Sequence, residues 1–479
     1  MVLFLLISLQ IQIERAPIFA TFIGRKRKKI IIKKGWSVRS ISFPKVELQM
    51  LDKRIYVESY GCPSNKYDLE VMMALLEKEE HCFVEAPEAA DIIVVNTCGV
   101  KKTTEDKILH HLHLLGKLNK PIVITGCLPK IDVDALKKTV PNFLAMLDPS
   151  SLDKILTVLE EWKQGKWQQM FVSNEGKIKI DLPKLIRDRV VEVVPISEGC
   201  LGSCTFCCTR LARGRLFSYP LKSIVQRVTD IVDSGVKEIW LTAQDTGAYG
   251  LDSGCNIVTL LEQVCDIRGQ FWIRVGMMNP NNVLGLVDEL IKVFQNDKMF
   301  KFIHLPVQSG NDDTLKCMHR RYSVQEFRSM IASFRREIPD MSLSTDIICG
   351  FPGEDGNAFT DSLKLIQEIE PDIVNISKFS SRPHTVAAEM RPLPSQIVKA
   401  RSKRMTELCK QISLKRNKHW LNWTGQAFID EIGTRSHVIG RNLAYKPILV
   451  KGSSKLLGQL VTVQIKQVTP TYLMGESTT

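Results

Sequence analysis

Cys200-Leu-Gly-Ser-Cys204-Thr-Phe-Cys207 is the stretch of this sequence that decides the fold. Its spacing is C-x3-C-x2-C, and it follows an apolar run at 190–196 that we expect to be a strand. Three thiolates this close together can hold three irons of a [4Fe–4S] cluster and leave the fourth iron open to a small molecule. A structural zinc knuckle is the alternative, but the second Cys or His pair that it needs is absent nearby. We therefore predict that all three cysteines bind a cluster.

The residues around this motif predict a partial barrel. Between 190 and about 380 we expect six strands, each followed by a helix, at 190–196, 238–242, 271–276, 302–305, 342–348 and 372–377. Six such units are too few for a closed eight-stranded barrel, so an open (β/α)6 barrel fits best. Polar side chains at the carboxyl ends of these strands are typical of cofactor contacts, and we predict this role for Gln244, Asp245, Gln308, Ser309 and Asp346.

The segment from 51 to 147 also alternates strands and helices, which predicts a doubly wound α/β domain. Cys62, Cys98 and Cys127 each lie just past the carboxyl end of a predicted strand. In open α/β sheets that edge is where ligands bind. Each cysteine alone could be an ordinary buried residue. Because all three lie at the same edge of the predicted sheet, we predict that they hold a second [4Fe–4S] cluster.

The C-terminal segment changes its hydrophobic period. Short strands are expected at 426–432, 446–451, 460–467 and 472–475, with glycine turns between them. This pattern predicts a small antiparallel β-barrel that binds looped RNA, although a purely structural cap is the alternative. We predict RNA contacts by Arg435, Arg441 and Lys446, with His437 and Tyr445 as further candidates. The basic helix at 395–419 is either a phosphate-contacting surface or a solvated face.

Composition limits the class of protein. The chain has 479 residues and a net charge of +13, of which +8 lies in residues 1–49, so overall charge supports RNA binding only weakly. Its 13 cysteines, without an export signal, favour reduced thiols and metal binding over disulfides. No apolar stretch reaches the length needed to span a membrane. We expect a soluble cytoplasmic protein.

These patterns divide the chain into six segments. Residues 1–49 are expected to be an extra basic segment, either disordered or a mis-assigned start, since Met50 is a plausible true start. The others are an N-terminal domain at 51–163, a linker at 164–189, a barrel domain at 190–395, a basic connecting helix at 396–422 and a C-terminal barrel at 423–479.

From about residue 53 to 476 the chain resembles the methylthiotransferases of the radical S-adenosylmethionine (SAM) class. The resemblance is carried by Tyr60-Gly-Cys62, Asn96-Thr-Cys98, Thr125-Gly-Cys127, the motif at 200–207, Pro306-Val-Gln-Ser309 and Thr345-Asp-Ile-Ile-Cys-Gly-Phe-Pro-Gly-Glu354. The domain order also agrees: a three-cysteine domain, a radical SAM barrel and a TRAM domain. Residues 1–49 match nothing in the family, and we expect no counterpart of the C-terminal membrane anchor of animal members.

Within this family, the stretch from Gly199 to Pro220 is similar to the archaeal and eukaryotic branch. That branch acts on N6-threonylcarbamoyladenosine (t6A) at tRNA position 37, beside the anticodon. Asp245-Thr-Gly-Ala-Tyr-Gly250 agrees with it. Two relatives remain as alternatives: the branch that modifies isopentenyladenosine in tRNA, and the branch that modifies a ribosomal-protein side chain.

The resemblance implies a mechanism. The barrel cluster would bind and cleave SAM to a 5′-deoxyadenosyl radical, with Phe206 against the adenine. The N-terminal cluster would hold the sulfur that a second SAM methylates and that is inserted at C2 of the adenine. An unactivated aromatic C–H has no acidic proton, so the cofactor must supply the radical. The implied partners are the tRNA anticodon loop and a low-potential electron donor, and the protein is expected to be a monomer. An iron–sulfur RNA-binding module without activity is a further alternative, but binding alone would not need two open irons.

Overall fold

A computed structural model describes residues 53–173, 175–186, 190–434 and 436–478. The expectations for residues 1–49 and for Met50 lie outside these described residues. Among the helices that are described, none is both long enough and apolar enough to cross a membrane.

The N-terminal domain is built on a six-stranded sheet in the order β2-β1-β3-β4-β5-β6, and every pairing in it is parallel. Successive residues of its central strand point into two different cores, with Ile92 and Val94 on one side and Ile93 and Val95 on the other. Burial on both faces explains why this strand is a continuous apolar run. The predicted doubly wound domain is confirmed. Its strands are β1 Arg54–Ser59, β2 Cys82–Val84, β3 Ile92–Thr97, β4 Ile122–Gly126, β5 Ala145–Leu147 and β6 Gln169–Phe171, and its helices are α1 Pro63–Lys78, α2 Lys102–Gly116, α3 Leu128–Ile131, α4 Val133–Thr139 and α5 Ile155–Lys163.

Of the segment predicted as a linker, 164–189, the described residues 164–173 and 175–186 are part of the folded body. Its strand β6 pairs with β5 and completes the sheet. Lys179 and Lys184 are almost fully buried: Lys179 Nζ lies 2.6 Å from Asp68 Oδ1, and Lys184 Nζ lies 2.9 Å from Glu70 Oε2. The polar composition that indicated a solvated linker therefore reflects buried ion pairs between this segment and α1.

The central domain has six strands that form two three-stranded parallel sheets, β11-β10-β7 and β12-β13-β14. A parallel bridge between Ile273 and Met299 lies at their junction. The predicted open (β/α)6 barrel is confirmed. Its strands are β7 Val191–Pro195, β10 Glu238–Thr242, β11 Trp272–Val275, β12 Phe302–His304, β13 Ser342–Cys349 and β14 Ile373–Lys378, with a small antiparallel pair, β8 Ser197–Glu198 and β9 Phe217–Ser218. Its helices are α6 Thr209–Arg213, α7 Leu221–Asp233, α8 Ile257–Cys265, α9 Pro280–Val283, α10 Val287–Phe294, α11 Asp312–Cys317, α12 Val324–Glu337 and α13 Gly356–Ile369.

A 24-residue helix, α14 Ser395–Lys418, leads to a closed five-stranded barrel in the order β15-β16-β17-β19-β18. Two details differ from the prediction. The strand β16 was not expected, because its residues were interpreted as a loop of RNA contacts. One pairing, β17 with β19, is parallel, and it closes the barrel. The strands are β15 Thr424–Ile432, β16 His437–Arg441, β17 Pro447–Lys451, β18 Leu460–Val468 and β19 Leu473–Ser477.

Aromatic side chains join the C-terminal barrel to the (β/α)6 barrel. The ring centroids of Trp272 and Phe428 are 4.9 Å apart, and those of Phe300 and Tyr445 are 4.7 Å apart. The Arg274 guanidinium lies 5.5 Å from the Tyr445 ring, and the Tyr445 hydroxyl donates to Glu238 Oε1 at 3.0 Å. Since these groups are withdrawn from water, the two barrels form a well-packed interface, which we call the barrel–barrel interface.

This interface gives the protein a pH-dependent stability. Burial, reinforced by the charge of Asp430, raises the pKa of Glu238 from 4.5 to about 7. Between those two pH values the unfolded chain loses this proton while the folded chain keeps it. The free energy of unfolding should therefore fall by about 3 kcal/mol as the pH rises from 4.5 to 7, and level off above 7.

Anaerobic urea unfolding followed by tryptophan fluorescence will measure this effect. Glu238→Gln should lose this part of the pH dependence. Glu431→Gln, at an exposed neighbouring carboxyl, is the matched control and should keep it. Parallel pH profiles for wild type and Glu238→Gln would contradict the prediction.

Candidate active site

The barrel cysteines lie in one loop between β8 and α6. The N–H of Gly202 donates to Cys200 Sγ at 3.2 Å, and the N–H of Thr209 donates to Cys207 Sγ at 3.4 Å. A Cβ added at Gly202 would lie 3.3 Å from Cys200 Sγ and 3.7 Å from Cys204 Sγ, so the loop curves tightly around its thiols. Backbone N–H groups aimed at sulfur stabilise cysteine thiolates, and such hydrogen bonds help to set the potential of Fe–S clusters.

The surroundings of Cys200 and Cys207 favour the protonated thiol until a metal binds. Burial raises the pKa of Cys200 to about 12 and that of Cys207 to about 11, and the neighbouring cysteines add to both shifts. Thiols with such pKa values stay protonated in the free protein, and binding of a metal displaces the proton. The donor set of this loop fits a cluster with three cysteine ligands.

Arg320 is a residue of this site that the sequence did not predict. Its Nη1 lies 3.5 Å from Cys204 Sγ, while its Nη2 donates to the Pro306 carbonyl at 2.8 Å and its Nε donates to the Tyr322 hydroxyl at 3.0 Å. These partners fix the guanidinium in place. It therefore provides positive charge next to a sulfur that is negative when it binds iron.

The structure also brings the three N-terminal cysteines together. Cys62 precedes α1, Cys98 follows β3 and Cys127 follows β4. A Cβ at Gly61, where φ is +109°, would lie 2.9 Å from Cys98 Sγ, so only glycine fits there. Burial raises the pKa of Cys98 and raises that of Cys127 to about 12, and the nearby Cys62 thiol contributes to both. This donor set also fits a cluster with three cysteine ligands.

The two cysteine triads are tied together by a buried network that the sequence did not predict. Asn65 Oδ1 lies 4.0 Å from Cys62 Sγ and 3.9 Å from Cys127 Sγ. It accepts a hydrogen bond at 2.6 Å from Nη2 of Arg213, which ends the short helix that follows Cys207. Arg213 is fully enclosed and pairs with Asp68 at 2.7 Å and Glu198 at 3.1 Å. We call Asn65, Asp68, Glu198 and Arg213 the Arg213 network.

A second contact joins the same two regions. The Cys208 thiol donates to the Gly99 carbonyl at 3.3 Å, and Arg382 Nη2 donates to that carbonyl at 2.7 Å. Cys208 also packs with Cys127 in one apolar cluster. The loop after Cys98 and the helix after Cys207 therefore share a common core.

A cavity of about 660 Å³ opens beside the barrel triad. Three of the predicted cofactor contacts, Phe206, Gln308 and Asp346, line it, and so does Cys207. The N-terminal domain supplies another wall through residues 100–103. The cavity thus lies between the two cysteine-bearing domains, with a volume in the range of ordinary small-molecule sites.

Asp346 and Gln308 are held in place within this cavity. Asp346 Oδ1 lies 2.8 Å from His304 Nε2 and accepts from Asn375 Nδ2 at 2.9 Å. Burial alone would raise the pKa of Asp346, but the hydrogen bond and charge of His304, together with Asn375 and Lys101, lower it below its usual value. Gln308 has a φ of +72°, a costly conformation for this residue that is concentrated at functional sites.

The other three predicted contacts do not line the cavity. Both oxygens of Asp245 are used internally, since Oδ1 accepts from the N–H of Asn279 at 2.9 Å and Oδ2 accepts from Asn282 Nδ2 at 2.7 Å. The Ser309 hydroxyl is buried 3.4 Å from that of Ser362. Gln244 Oε1 is buried without a hydrogen-bond partner among the described residues. Asp245 and Ser309 therefore support the strand-end loops, and their role as cofactor contacts stays a prediction.

The predicted RNA contacts also need correction. Lys446 is 5% exposed, and its Nζ lies 2.7 Å from Asp372 Oδ1, inside the barrel–barrel interface. Arg441 Nε pairs with Asp430 at 2.9 Å, and its side chain is 17% exposed. Both charges are used to pack the C-terminal barrel, so Lys446 cannot reach a phosphate. Arg435 lies outside the described residues.

The described residues contain no disulfide and no site for a single metal ion. All thirteen cysteines are free. Within the described part of the chain, no three His, Cys, Asp or Glu side chains converge closely enough to hold a single metal ion. The ligands of a [4Fe–4S] cluster bind different irons, so this finding concerns single-ion sites only.

Three family models match successive parts of the chain. They are described as "Uncharacterized protein family UPF0004" over residues 54–147, "Radical SAM superfamily" over 194–366 and "TRAM domain" over 427–478. Together they follow the three folded domains described above.

Among solved structures, the chain is similar to a radical S-adenosylmethionine methyltransferase, TsrM, from Kitasatospora setae, solved with cobalamin and a [4Fe–4S] cluster bound. The TM-score is 0.53 over 70% of this chain and 77% of that chain, at 10% identity. This likeness concerns the fold alone.

Curated relatives are much closer in sequence. A probable threonylcarbamoyladenosine tRNA methylthiotransferase from Pyrococcus abyssi is 42% identical over 430 residues, which cover 88% of this chain and 99% of that protein. The threonylcarbamoyladenosine tRNA methylthiotransferase of Homo sapiens is 32% identical over 88% of this chain and 74% of that protein. On the strength of this identity, the three matching domains and the two cysteine triads, the chain belongs to the radical SAM family of threonylcarbamoyladenosine tRNA methylthiotransferases.

Proposed function

We propose that this protein transfers a methylthio group to C2 of t6A at position 37 of tRNA. One observation carries the proposal: two cysteine triads, each at the carboxyl edge of a parallel sheet, are joined through Arg213. A reaction that breaks a C–H bond and then delivers sulfur to the same carbon needs two such centres near one substrate. The names of the relatives support t6A as the substrate.

Each triad would hold one [4Fe–4S] cluster, on Cys200, Cys204 and Cys207 in the barrel and on Cys62, Cys98 and Cys127 in the N-terminal domain. When bound, the barrel cluster and SAM would supply a 5′-deoxyadenosyl radical that removes the C2 hydrogen, and the N-terminal cluster would carry the sulfur. A low-potential electron donor completes the system.

The protein's own residues position the reactants and exclude water. Phe206 offers the cavity an apolar ring, which suits an adenine. His304 and Asn375 both contact Oδ1 of Asp346, so Oδ2 is left to accept hydrogen bonds from a bound hydroxyl or ammonium group. Residues 100–103 close the side that faces the N-terminal domain. A preorganised site of this kind would hold the reactive group next to one C–H bond and limit side reactions.

The tRNA backbone would be held by basic residues other than Lys446. On α14, Lys399, Arg404, Lys410 and Lys418 are exposed, and none forms an ion pair with a described residue. This helix runs from the cavity, which Lys399 lines, to the C-terminal barrel. Exposed lysines and arginines that lack counter-ions are suited to bind phosphates.

The test is turnover on three forms of one tRNA, bearing t6A, isopentenyladenosine or unmodified adenosine at position 37. With reconstituted protein, SAM and a reductant, nucleoside mass spectrometry should find the methylthio product only on the t6A form. Equal turnover on the other two forms, or product only on a ribosomal protein, would overturn the proposal.

A further inference from the structure

The lining of the cavity is rich in cationic side chains. It contains Lys101, Lys102, Lys378, Arg382 and Lys399. Asp346 is the one acidic residue among those that line the cavity, and it is already bound to His304 and Asn375. Lys102 and Arg382 are paired with Glu105, so Lys101, Lys378 and Lys399 supply the excess of positive charge over the single lining carboxylate. Such an excess favours an anionic ligand.

The N-terminus of α2 is part of this lining, so its partial positive charge faces the cavity. The helix has 15 residues, and its first residues, Lys102 and Thr103, line the cavity. Their backbone N–H groups have no acceptor among the described residues. Free N–H groups at the start of a helix bind anions well.

Arg382 is a second, independent sign of a ligand. It is 4% exposed, and its Nη2 pairs with Glu105 and with the Gly99 carbonyl. Its Nε and Nη1 are buried in the cavity wall without an oxygen or nitrogen partner in the described structure, and the nearby Cys208 thiol is only a weak acceptor. Buried guanidinium N–H groups without acceptors are costly, so they mark a place for one.

The rim of the cavity adds two cations from different elements. Lys101 precedes α2 and Lys378 ends β14, and both are exposed. Neither forms an ion pair with a described residue, whereas the neighbouring Lys102 pairs with Glu105 at 2.7 Å. Lys101 and Lys378 are therefore free to contact a bound anion.

We propose that the α2 N-terminus, Arg382, Lys101 and Lys378 form a subsite that binds the carboxylate of the threonylcarbamoyl group. This inference rests on the proposed function and names the part of the substrate that the site recognises. The threonyl carboxylate is the anionic group that t6A has and that adenosine and isopentenyladenosine lack. C2 and the carbon that carries N6 belong to one rigid ring, so holding the N6 substituent by its carboxylate restricts where C2 can lie.

A tRNA phosphate is the other source of an anion, and a neutral analogue separates the two. The probe is an anticodon stem-loop RNA that bears either t6A or its threonine methyl ester, which differ in this one charge. Their dissociation constants are measured by fluorescence anisotropy with wild type, with Lys101→Gln/Lys378→Gln, and with Lys292→Gln, an exposed lysine outside the cavity, as the matched control.

Wild type and Lys292→Gln should bind the t6A form roughly tenfold more tightly than the ester, as expected for charge-assisted hydrogen bonds. In Lys101→Gln/Lys378→Gln most of this preference should disappear, with the ester affinity nearly unchanged. Equal loss of affinity for both RNAs would assign these lysines to a phosphate and overturn the inference, as would wild type that shows no preference. Wild type that prefers t6A but does not methylthiolate it would refute the proposed function and leave the subsite intact.

Discussion

Cys204→Ala is expected to abolish both SAM cleavage and methylthiolation, whereas Cys98→Ala should abolish methylthiolation alone. The reason is that Cys204 belongs to the barrel triad beside the cavity, while Cys98 belongs to the separate N-terminal triad. With the barrel loop intact, Cys98→Ala should still release 5′-deoxyadenosine from SAM. Chromatography of deoxyadenosine and mass spectrometry of the tRNA nucleosides measure the two steps separately.

Iron analysis checks the same prediction without any turnover. Reconstituted wild type should hold about eight irons and eight sulfides, and each variant should lose about half. Cys82→Ala is the matched control, because Cys82 is an exposed cysteine of the N-terminal domain outside both triads. Four irons in wild type, or methylthio product from Cys98→Ala, would show that the N-terminal triad has another role.

Arg213→Met is expected to prevent the N-terminal triad from holding a cluster, although the substitution changes no cysteine. Among the described residues, the substitution leaves Asp68 and Glu198 with Lys179 as their remaining buried counter-charge. It also removes the hydrogen bond that Arg213 donates to Asn65 Oδ1 between Cys62 and Cys127. Breaking a buried ion pair costs about 3 kcal/mol or more. We expect loss of about half of the iron and of methylthiolation, with deoxyadenosine formation retained.

Two further variants separate positioning from simple misfolding. Arg213→Lys keeps the charge but not the forked geometry, so it should recover part of the iron and activity. Arg210→Gln changes a partly exposed arginine of the same helix and should behave as wild type. The electron paramagnetic resonance signal of the reduced N-terminal cluster should shift in Arg213→Lys. A full iron content and normal turnover in Arg213→Met would contradict the prediction.

The sequence predicted those parts of the fold and site that depend on local pattern. The three domains follow from alternating apolar runs, and the barrel triad follows from its C-x3-C-x2-C spacing. The N-terminal triad follows from its positions at strand ends, because the carboxyl ends of parallel strands meet at one edge. The short strand β6 was missed because its three residues stand in a polar segment without a clear period. The strand β16 was missed because its basic residues suggested a loop.

The supporting residues of the site could not be found in this way. Arg320 is 116 residues from Cys204, and Arg213 is 148 residues from Asn65, so no spacing rule connects them. Residue type also fails to separate roles. Asp245 and Asp346 both follow the pattern of a cofactor contact, but one supports a loop and the other lines the cavity. Lys446 has the charge of an RNA contact but is buried as an internal counter-ion.

The barrel–barrel interface has a consequence for how one nucleotide is chosen. Trp272, Phe428, Tyr445 and Glu238 pack the C-terminal barrel directly against the domain that performs the chemistry. For a tRNA bound by both domains, the distance between the site that binds it and the site where it reacts would then be fixed. Selection of position 37 would depend on this distance as well as on the identity of the base. A tRNA whose anticodon arm were one base pair longer would place a different nucleotide at the reaction site.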